Sequence, residues 1–159
     1  MGVRRKNPLL NSEKRHETAV RQIGHAITAY LTVGSKKFYK VTILPTGNSL
    51  GYISLIPSKD EVSTSRKNVI ADIDVGVAGK AAEEVFFGID RTTSACAKQI
   101  EKAADLAYFY VRDMGMENEQ LFLNSEQDQM SDTYKFKTDQ VVHSILADSL
   151  KRVKSLLNT

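Results

Sequence analysis

The side chains that could carry chemistry in this sequence are few, and their spacing predicts little. His16, His25 and His143 stand too irregularly along the chain to predict a shared metal site or a catalytic pair. Cys96 falls on the apolar face of a predicted helix, where a thiol is usually inert packing. No serine or cysteine nucleophile motif is present. These residue types alone therefore indicate no more than a helical domain with a hairpin.

The first helix that could position such side chains runs from Glu17 to Leu31. Apolar residues recur in it at spacings of three and four, which is the pattern of an amphipathic helix. Gly34 follows, and glycine commonly ends helices. The apolar stripe comprises Val20, Ile23, Ile27, Tyr30 and Leu31.

A second helix is predicted over about residues 63–87, and it ends at Gly88. Gly76 and Gly79 lie inside it, where glycine usually permits the close approach of another element or marks a bend. Their spacing lacks the Lys-Ser/Thr pair of a phosphate-binding loop. These two glycines are therefore interpreted as packing positions.

Two more helices are predicted in the second half of the chain. One follows the N-cap residue types of Thr92–Ser94 and ends near Met114. The other is predicted to be capped by Thr138 and to continue to Leu157. Residues 117–136 between them are polar and are predicted to form a mobile connection.

One antiparallel hairpin is predicted at about residues 38–57. Two β-branched and aromatic runs, residues 38–44 and 50–56, flank the turn Pro45–Asn48. Pro57 closes the second run. Four helices and one hairpin give a mainly α (α+β) fold.

The composition is that of a globular protein, with 42% hydrophobic and 26% charged residues among 159. Residues 1–15 hold five basic groups against one acidic group, so the net charge of +3 comes from the N-terminus. Residues 1–12 are therefore predicted to be a flexible basic arm, and residues 13–159 a single domain. A near-neutral body argues against nucleic-acid binding.

The cysteine count and the hydropathy indicate the redox compartment of the chain and whether it spans a membrane. One cysteine forms no intramolecular disulfide or cysteine-rich zinc site, and a reducing compartment is plausible. No apolar run approaches the roughly 18 residues of a membrane span, so no membrane segment is expected in this chain. The basic start lacks the apolar region of a signal peptide.

Five segments, read in order, resemble the peptidase domain of FtsH-type ATP-dependent zinc metallopeptidases. Thr18–Ala26 is similar to that family's T-A-Y-H-E-A-G-H-A helix, and Lys40–Gly47 to its K-V-T-I-x-P-R-G hairpin. Ala78–Gly88 resembles G-G-R-A-A-E-E-x-x-F-G, Thr92–Ala95 resembles the start of T-T-G-A-S-N-D, and Met114–Met116 resembles F-G-M. Order and spacing agree over about 100 residues. The resemblance implies a helical peptidase-domain fold.

The same resemblance implies where the family's active site would lie. There, zinc is bound by both histidines of H-E-x-x-H and by an aspartate on a later helix, and the glutamate is the general base. In this chain Arg21 stands for the first histidine, Gln22 for the glutamate and Gln99 for the aspartate, while His25 is retained. A guanidinium cannot ligate zinc, and an amide is no base. No catalytic residue and no bound zinc are therefore expected.

Two interpretations of Arg21 remain open at this stage. It could pair with Glu83 or Glu84, which lie in a segment that packs near the site in the active family, or bond to Gln99. Alternatively, it could point into water. In the first case the guanidinium would replace the positive charge of the metal.

The favoured hypothesis is an inactive peptidase-like domain, or pseudopeptidase, that serves as a scaffold, assembly or regulatory module. The resemblance implies self-association or a mixed ring with FtsH-type subunits, and polypeptide substrates. ATP would enter only through an AAA+ module that is absent from this chain, and the family is membrane-anchored in bacteria, mitochondria or chloroplasts. The alternatives are an active zinc endopeptidase with unorthodox ligands and a binding module that acts through its basic N-terminal arm.

Overall fold

The computed structural model describes residues 11–44, 51–56, 64–115 and 131–159. In these residues the chain forms four α-helices and one two-stranded antiparallel sheet, which confirms the predicted mainly α fold with one hairpin. Two short 3₁₀ turns, Ile89–Arg91 and Ser94–Cys96, connect the second and third helices. The elements are α1 (Ser12–Leu31), β1 (Lys37–Thr42), β2 (Tyr52–Ile56), α2 (Arg66–Phe87), α3 (Ala97–Arg112) and α4 (Asp132–Leu157).

Helix α1 begins five residues earlier than its apolar pattern predicts. Asn11 is its N-cap, and the Asn11 side chain accepts a hydrogen bond from the Lys14 backbone N–H at 2.8 Å. This bond satisfies one of the free donors of the first turn. Residues 11 and 12 of the predicted arm therefore belong to the start of α1, and residues 1–10 lie outside the described residues.

Helix α4 also begins earlier, at Asp132, where Ser131 is the N-cap. The predicted cap, Thr138, is instead a buried residue inside the helix. The prediction of a connection over residues 117–136 is therefore wrong from residue 132 onward, because an exposed polar turn can be helical without an apolar pattern. Its earlier part, up to residue 130, lies outside the described residues.

The hairpin pairs β1 with β2 in antiparallel register, from Lys37 opposite Ile56 to Thr42 opposite Tyr52. The register shifts between Phe38 and Lys40. The predicted turn and Pro57 lie outside the described residues.

Helix α2 forms the centre of the molecule and packs against the three other helices. Ser65 caps its start, and it ends at Gly88, as the sequence predicts. A β-carbon on Gly76 would lie 2.8 Å from that of Ala103 on α3, so this glycine permits the close contact between α2 and α3. The hydrophobic core around α2 includes Val69, Ile73, Val77, Ala81, Tyr110, Val111, Val142 and Val153.

Helix α1 packs against α2 with its polar face rather than with its apolar stripe. Thr18, Arg21, Gln22, His25 and Thr28 are all buried. The predicted stripe lies on the opposite side, where Ile23, Ile27, Tyr30 and Leu31 are exposed and Val20 is half-buried. The apolar stripe of a helix usually faces the core, and α1 departs from this rule.

In the described parts of the chain, no helix has the length and apolarity needed to cross a membrane.

Candidate functional site

Close packing of α1 on α2 brings the candidate residues together. A β-carbon on Gly79 of α2 would lie 2.5 Å from His25 Nε2 and 2.9 Å from Arg21 Cγ. Such distances are shorter than van der Waals contact, so only glycine lets α1 approach this closely. Gly24 on α1 has the same function, because a β-carbon there would collide with that of Ala82. The polar face of α1 is therefore pressed onto α2.

Arg21 is 4% exposed and forms a buried ion pair with Glu83. Its Nη1 donates a hydrogen bond to Glu83 Oε1 at 3.0 Å. Its Nη2 lies 3.4 Å from the hydroxyl oxygen of Thr18, one helical turn earlier. Of the two arrangements that the sequence leaves open, the structure has Arg21 turned inward rather than toward water.

Glu83 is fully buried, and two further donors hold its carboxylate. The Thr93 backbone N–H donates to Oε2 at 2.7 Å, and the Thr93 hydroxyl donates to Oε1 at 2.9 Å. A buried carboxylate is stable only when it is paired and hydrogen-bonded. Arg21, Glu83 and Thr93 therefore form one satisfied polar cluster that joins α1, α2 and the loop before α3.

Glu84, the other candidate for Arg21, points elsewhere. It forms ion pairs with Lys80 on its own helix and with Lys154 on α4. Consecutive helical residues are about 100° apart around the axis, so Glu83 and Glu84 cannot both face α1. Glu84 instead contributes to the contact between α2 and α4.

His25 is buried and hydrogen-bonded to the backbone of α2. Its Nδ1 lies 2.7 Å from the carbonyl oxygen of Val75. Since a carbonyl only accepts, Nδ1 carries the hydrogen and Nε2 keeps a free lone pair. Burial lowers the pKa of His25 below its ordinary value, and the nearby charge of Arg21 lowers that pKa further, against the opposing effect of the Val75 bond. The ring is therefore neutral at pH 7.

A cleft of about 410 Å³ lies between α1, α2, α3 and β2. Gln22, His25 and Gln99 all line it. Each of these residues has a buried acceptor atom without a hydrogen-bond partner, namely Gln22 Oε1, His25 Nε2 and Gln99 Oε1. The structure thus brings Gln22, His25 and Gln99 to one cleft, while Arg21 turns away to Glu83.

The donor atoms at this cleft do not fit a zinc ion. They are one imidazole nitrogen and two neutral amide oxygens, whereas zinc sites in proteins use thiolates, imidazoles and carboxylates. The Arg21 cation, which the resemblance aligns with the first histidine of the motif, adds positive charge beside His25. Over the described residues, no group of three or more His, Cys, Asp or Glu side chains is arranged to hold a metal.

The remaining candidate residues do not line the cleft. Cys96 is buried beside Glu83, and burial together with that carboxylate raises the pKa of the thiol to about 12. It is therefore a packing residue with no nucleophilic thiolate. His16 lies within α1, in an edge-on contact with the ring of Phe87, and His143 is exposed on α4.

Two participants in the site were not singled out from the sequence. The sequence predicts Thr93 only as a helix cap, and its two hydrogen bonds to Glu83 depend on how the loop folds back. The Val75 carbonyl that holds His25 is a backbone atom with no sequence signal of its own. The only sequence signal for this site that we used was Gly79, because a glycine inside a helix indicates that another element packs closely against it.

Comparison of the sequence with known proteins shows the family of this chain. Residues 8–159 match the Peptidase family M41. The chain is 36% identical over 159 residues to the mitochondrial inner membrane i-AAA protease supercomplex subunit YME1 of Saccharomyces cerevisiae. It is 34% identical over 157 residues to the chloroplastic/mitochondrial ATP-dependent zinc metalloprotease FTSH 11 of Arabidopsis thaliana. It is 32% identical over 160 residues to the human ATP-dependent zinc metalloprotease YME1L1.

These alignments cover 99–100% of this chain but only 19–21% of the relatives, so the chain spans about a fifth of their length. The matched region contains the helices that form the cleft. The predicted resemblance to FtsH-type peptidases is confirmed, and the chain belongs to peptidase family M41.

Proposed function

We propose that this chain is a peptidase-like domain without hydrolytic activity, which serves as a scaffold, assembly or regulatory module among related subunits. The observation that carries the proposal is the buried Arg21–Glu83 pair. It puts a permanent cation at the position where the motif of the family has its first zinc ligand.

The chemistry of neighbouring positions supports the same conclusion. Metal-assisted peptide hydrolysis needs a bound water with a lowered pKa and a base that accepts its proton. Gln22 at the base position is a neutral amide, and Gln99 at the third ligand position lacks the charge of a carboxylate. The retained fold, with its closely packed α1 and α2, supports a function that depends on binding or assembly.

The relatives suggest what such a module would assemble with. The yeast relative is a subunit of a protease supercomplex by its name. We therefore propose self-association of this chain, or its insertion into a ring of M41 subunits, with polypeptides as the material handled there. Any ATP dependence would come from an AAA+ module on those subunits.

The test combines a proteolysis assay with a matched variant. The wild-type protein, supplied with zinc and an unfolded casein substrate, should show no cleavage above a no-protein control. The triple variant Arg21→His, Gln22→Glu, Gln99→Asp restores the metal ligands and base of the family and should gain zinc binding. Zinc-dependent, chelator-sensitive cleavage by the wild-type protein would overturn the proposal in favour of an active endopeptidase.

A second measurement addresses assembly. Native mass spectrometry of the chain, alone and mixed with a full-length M41 subunit from the same cell, should give a homo-oligomer or a mixed complex. Strictly monomeric chain in both samples would contradict the scaffold function.

A further inference from the structure

The outward face of α1 carries a seam of apolar residues at the spacing of a coiled coil. Val20, Ile23, Ile27 and Tyr30 follow one another at intervals of three, four and three residues. This heptad pattern keeps one stripe of a helix against a partner helix along its length. Ile23 is 50% exposed and Tyr30 is 79% exposed, while Val20 is half-buried. Since α1 packs on α2 with its opposite face, the seam is accessible to another molecule.

The exposed side of α1 carries no charge along this seam. Between Thr18 and Val33 the one permanently charged residue is Arg21, which is buried against Glu83. In coiled coils, charged residues beside the seam decide which partners are repelled. Here Ala19 and Ala26 lie beside the seam, and both are small and uncharged. A twofold axis sets identical surfaces against each other, so a surface without charge is compatible with a second copy of itself.

An antiparallel pair of α1 helices matches the seam in size as well as in charge. Ile23 of each copy can lie opposite Ile27 of the other copy. Tyr30 then falls opposite Val20, so a large side chain meets a small one in the outer layers. A parallel pair would set Tyr30 against its own copy. It would also bring together the two copies of Glu13, which lies seven residues before Val20 on the same face. The antiparallel register avoids both conflicts.

We propose that two copies of this chain pair through α1, with the helices antiparallel about a twofold axis and the seam of Val20, Ile23, Ile27 and Tyr30 buried between them. This inference rests on the proposed function, because it takes self-association of the chain as the form of assembly there. The seam is only about 15 Å long, so the contact belongs to the small, transient class of interfaces. Its dissociation constant should lie in the micromolar range or above.

Sedimentation of the wild-type chain from about 1 µM to about 1 mM measures the equilibrium between monomer and dimer. Ile23→Glu puts a carboxylate into the contact twice, once from each copy, and should weaken the dimer about a hundredfold. The melting temperature of the monomer should stay the same, since Ile23 is exposed there. Phe136→Glu is the control, because Phe136 is 62% exposed on α4, outside the seam, and should leave the dimer unchanged.

A mixture of two charged variants tests the direction of the helices. Ile27→Lys alone should also be monomeric, because it places an unpaired ammonium group in two layers of the contact. Mixed with Ile23→Glu, it should form a heterodimer, since the antiparallel register sets the new carboxylate opposite the new ammonium group. A parallel pair would leave both charges unpaired. A mixture that stays monomeric, although the wild-type chain dimerises, would refute the antiparallel register.

Other results would overturn the inference in distinct ways. A dimer that withstands Ile23→Glu would mean that the copies meet at another surface, and it would leave the proposed assembly function intact. A wild-type chain that is monomeric up to about 1 mM would remove the self-contact. A mixed complex with the full-length M41 subunit would then still uphold the proposed function. Binding of the monomer to vesicles of neutral or anionic phospholipid, lost in Ile23→Glu, would assign the seam to a lipid surface instead.

Discussion

On helix α1 the buried face carries Thr18, Arg21 and His25, while the exposed face carries Ile23, Ile27 and Tyr30. The usual relation between polarity and burial is therefore reversed along this one element. The buried face gains its stability from specific bonds to Glu83 and to the Val75 carbonyl. The exposed face makes no equivalent bond in the described structure, and its exposed apolar residues are typical of a contact surface.

The difference between the two faces shows which side of α1 is held by the fold and which side is available for contact with another molecule. A buried cation can persist only with its partner in place, so the inward face tolerates few substitutions. An outward apolar residue contributes little to folding and can be exchanged. Substitutions on the two faces should therefore have unequal effects on the free energy of unfolding.

The largest effect is expected for Arg21→Ala. It leaves the Glu83 carboxylate buried without its cation, so the free energy of unfolding should fall by about 3–5 kcal/mol. Chemical denaturation measures this change. Ile23→Ala, two residues away on the exposed face, is the matched control and should cost under about 1 kcal/mol. An Arg21→Ala variant with the melting temperature of the wild-type protein would refute the structural importance of the pair.

A smaller effect is expected for Gly79→Ala. The new β-carbon would collide with His25 Nε2 and Arg21 Cγ, so α1 must move away, at a cost of about 1–3 kcal/mol. Denaturation of the double variant Gly79→Ala, His25→Ala provides the check, because removal of the ring should recover part of the loss. Gly79→Ala as stable as the wild-type protein would show that α1 and α2 are less tightly packed than described.

The pH dependence of stability tests the neutral state of His25. Because burial lowers the pKa of His25, the unfolded chain binds a proton below about pH 6.5 that the folded protein does not. Stability due to this residue should therefore fall as the pH drops below about 6.5, by at most about 1.4 kcal/mol per pH unit.

Urea denaturation between about pH 7.5 and 5.5 measures that slope, which precedes most carboxylate titration. His25→Gln should reduce the slope, and His143→Gln, at an exposed position on α4, should retain it. A slope that is the same in His25→Gln as in the wild-type protein would mean that His25 is not the residue responsible.

The smallest effect is expected on the outward face. Tyr30 is 79% exposed, so Tyr30→Ser should change the free energy of unfolding by no more than about 0.5 kcal/mol. Denaturation of the monomer at low concentration is the measurement. A loss above about 2 kcal/mol would indicate that Tyr30 is packed in the folded chain and that the comparison between the faces fails.

The sequence predicts the helices and hairpin well because α2, α3 and α4 bury the apolar faces that their spacing indicates. At α1 the spacing identifies the stripe but not the direction in which the stripe faces. The buried face of α1 is polar, and only three-dimensional partners such as Glu83 make that burial possible. The sequence does not predict the helix starts at Ser12 and Asp132. The first turn after each N-cap is mostly exposed and lacks the apolar spacing that indicates a helix.

The resemblance proposes residues for the candidate site, but it does not predict the bonds that these residues form. The resemblance identified Arg21, Gln22, His25 and Gln99, and the structure positions three of them at one cleft. The choice between Glu83 and its neighbour depends on helix rotation, which a sequence does not specify for adjacent residues. The unpaired acceptors of the cleft follow from packing and have no sequence signal.

Zinc content tests most directly whether the Arg21–Glu83 ion pair stands in place of a metal site. The purified chain is equilibrated with zinc and freed of excess metal, and its zinc content per chain is measured by elemental mass spectrometry. Zinc far below one ion per chain is expected, with the triple variant Arg21→His, Gln22→Glu, Gln99→Asp as the positive control. About one zinc ion per wild-type chain, lost on His25→Ala, would contradict the account.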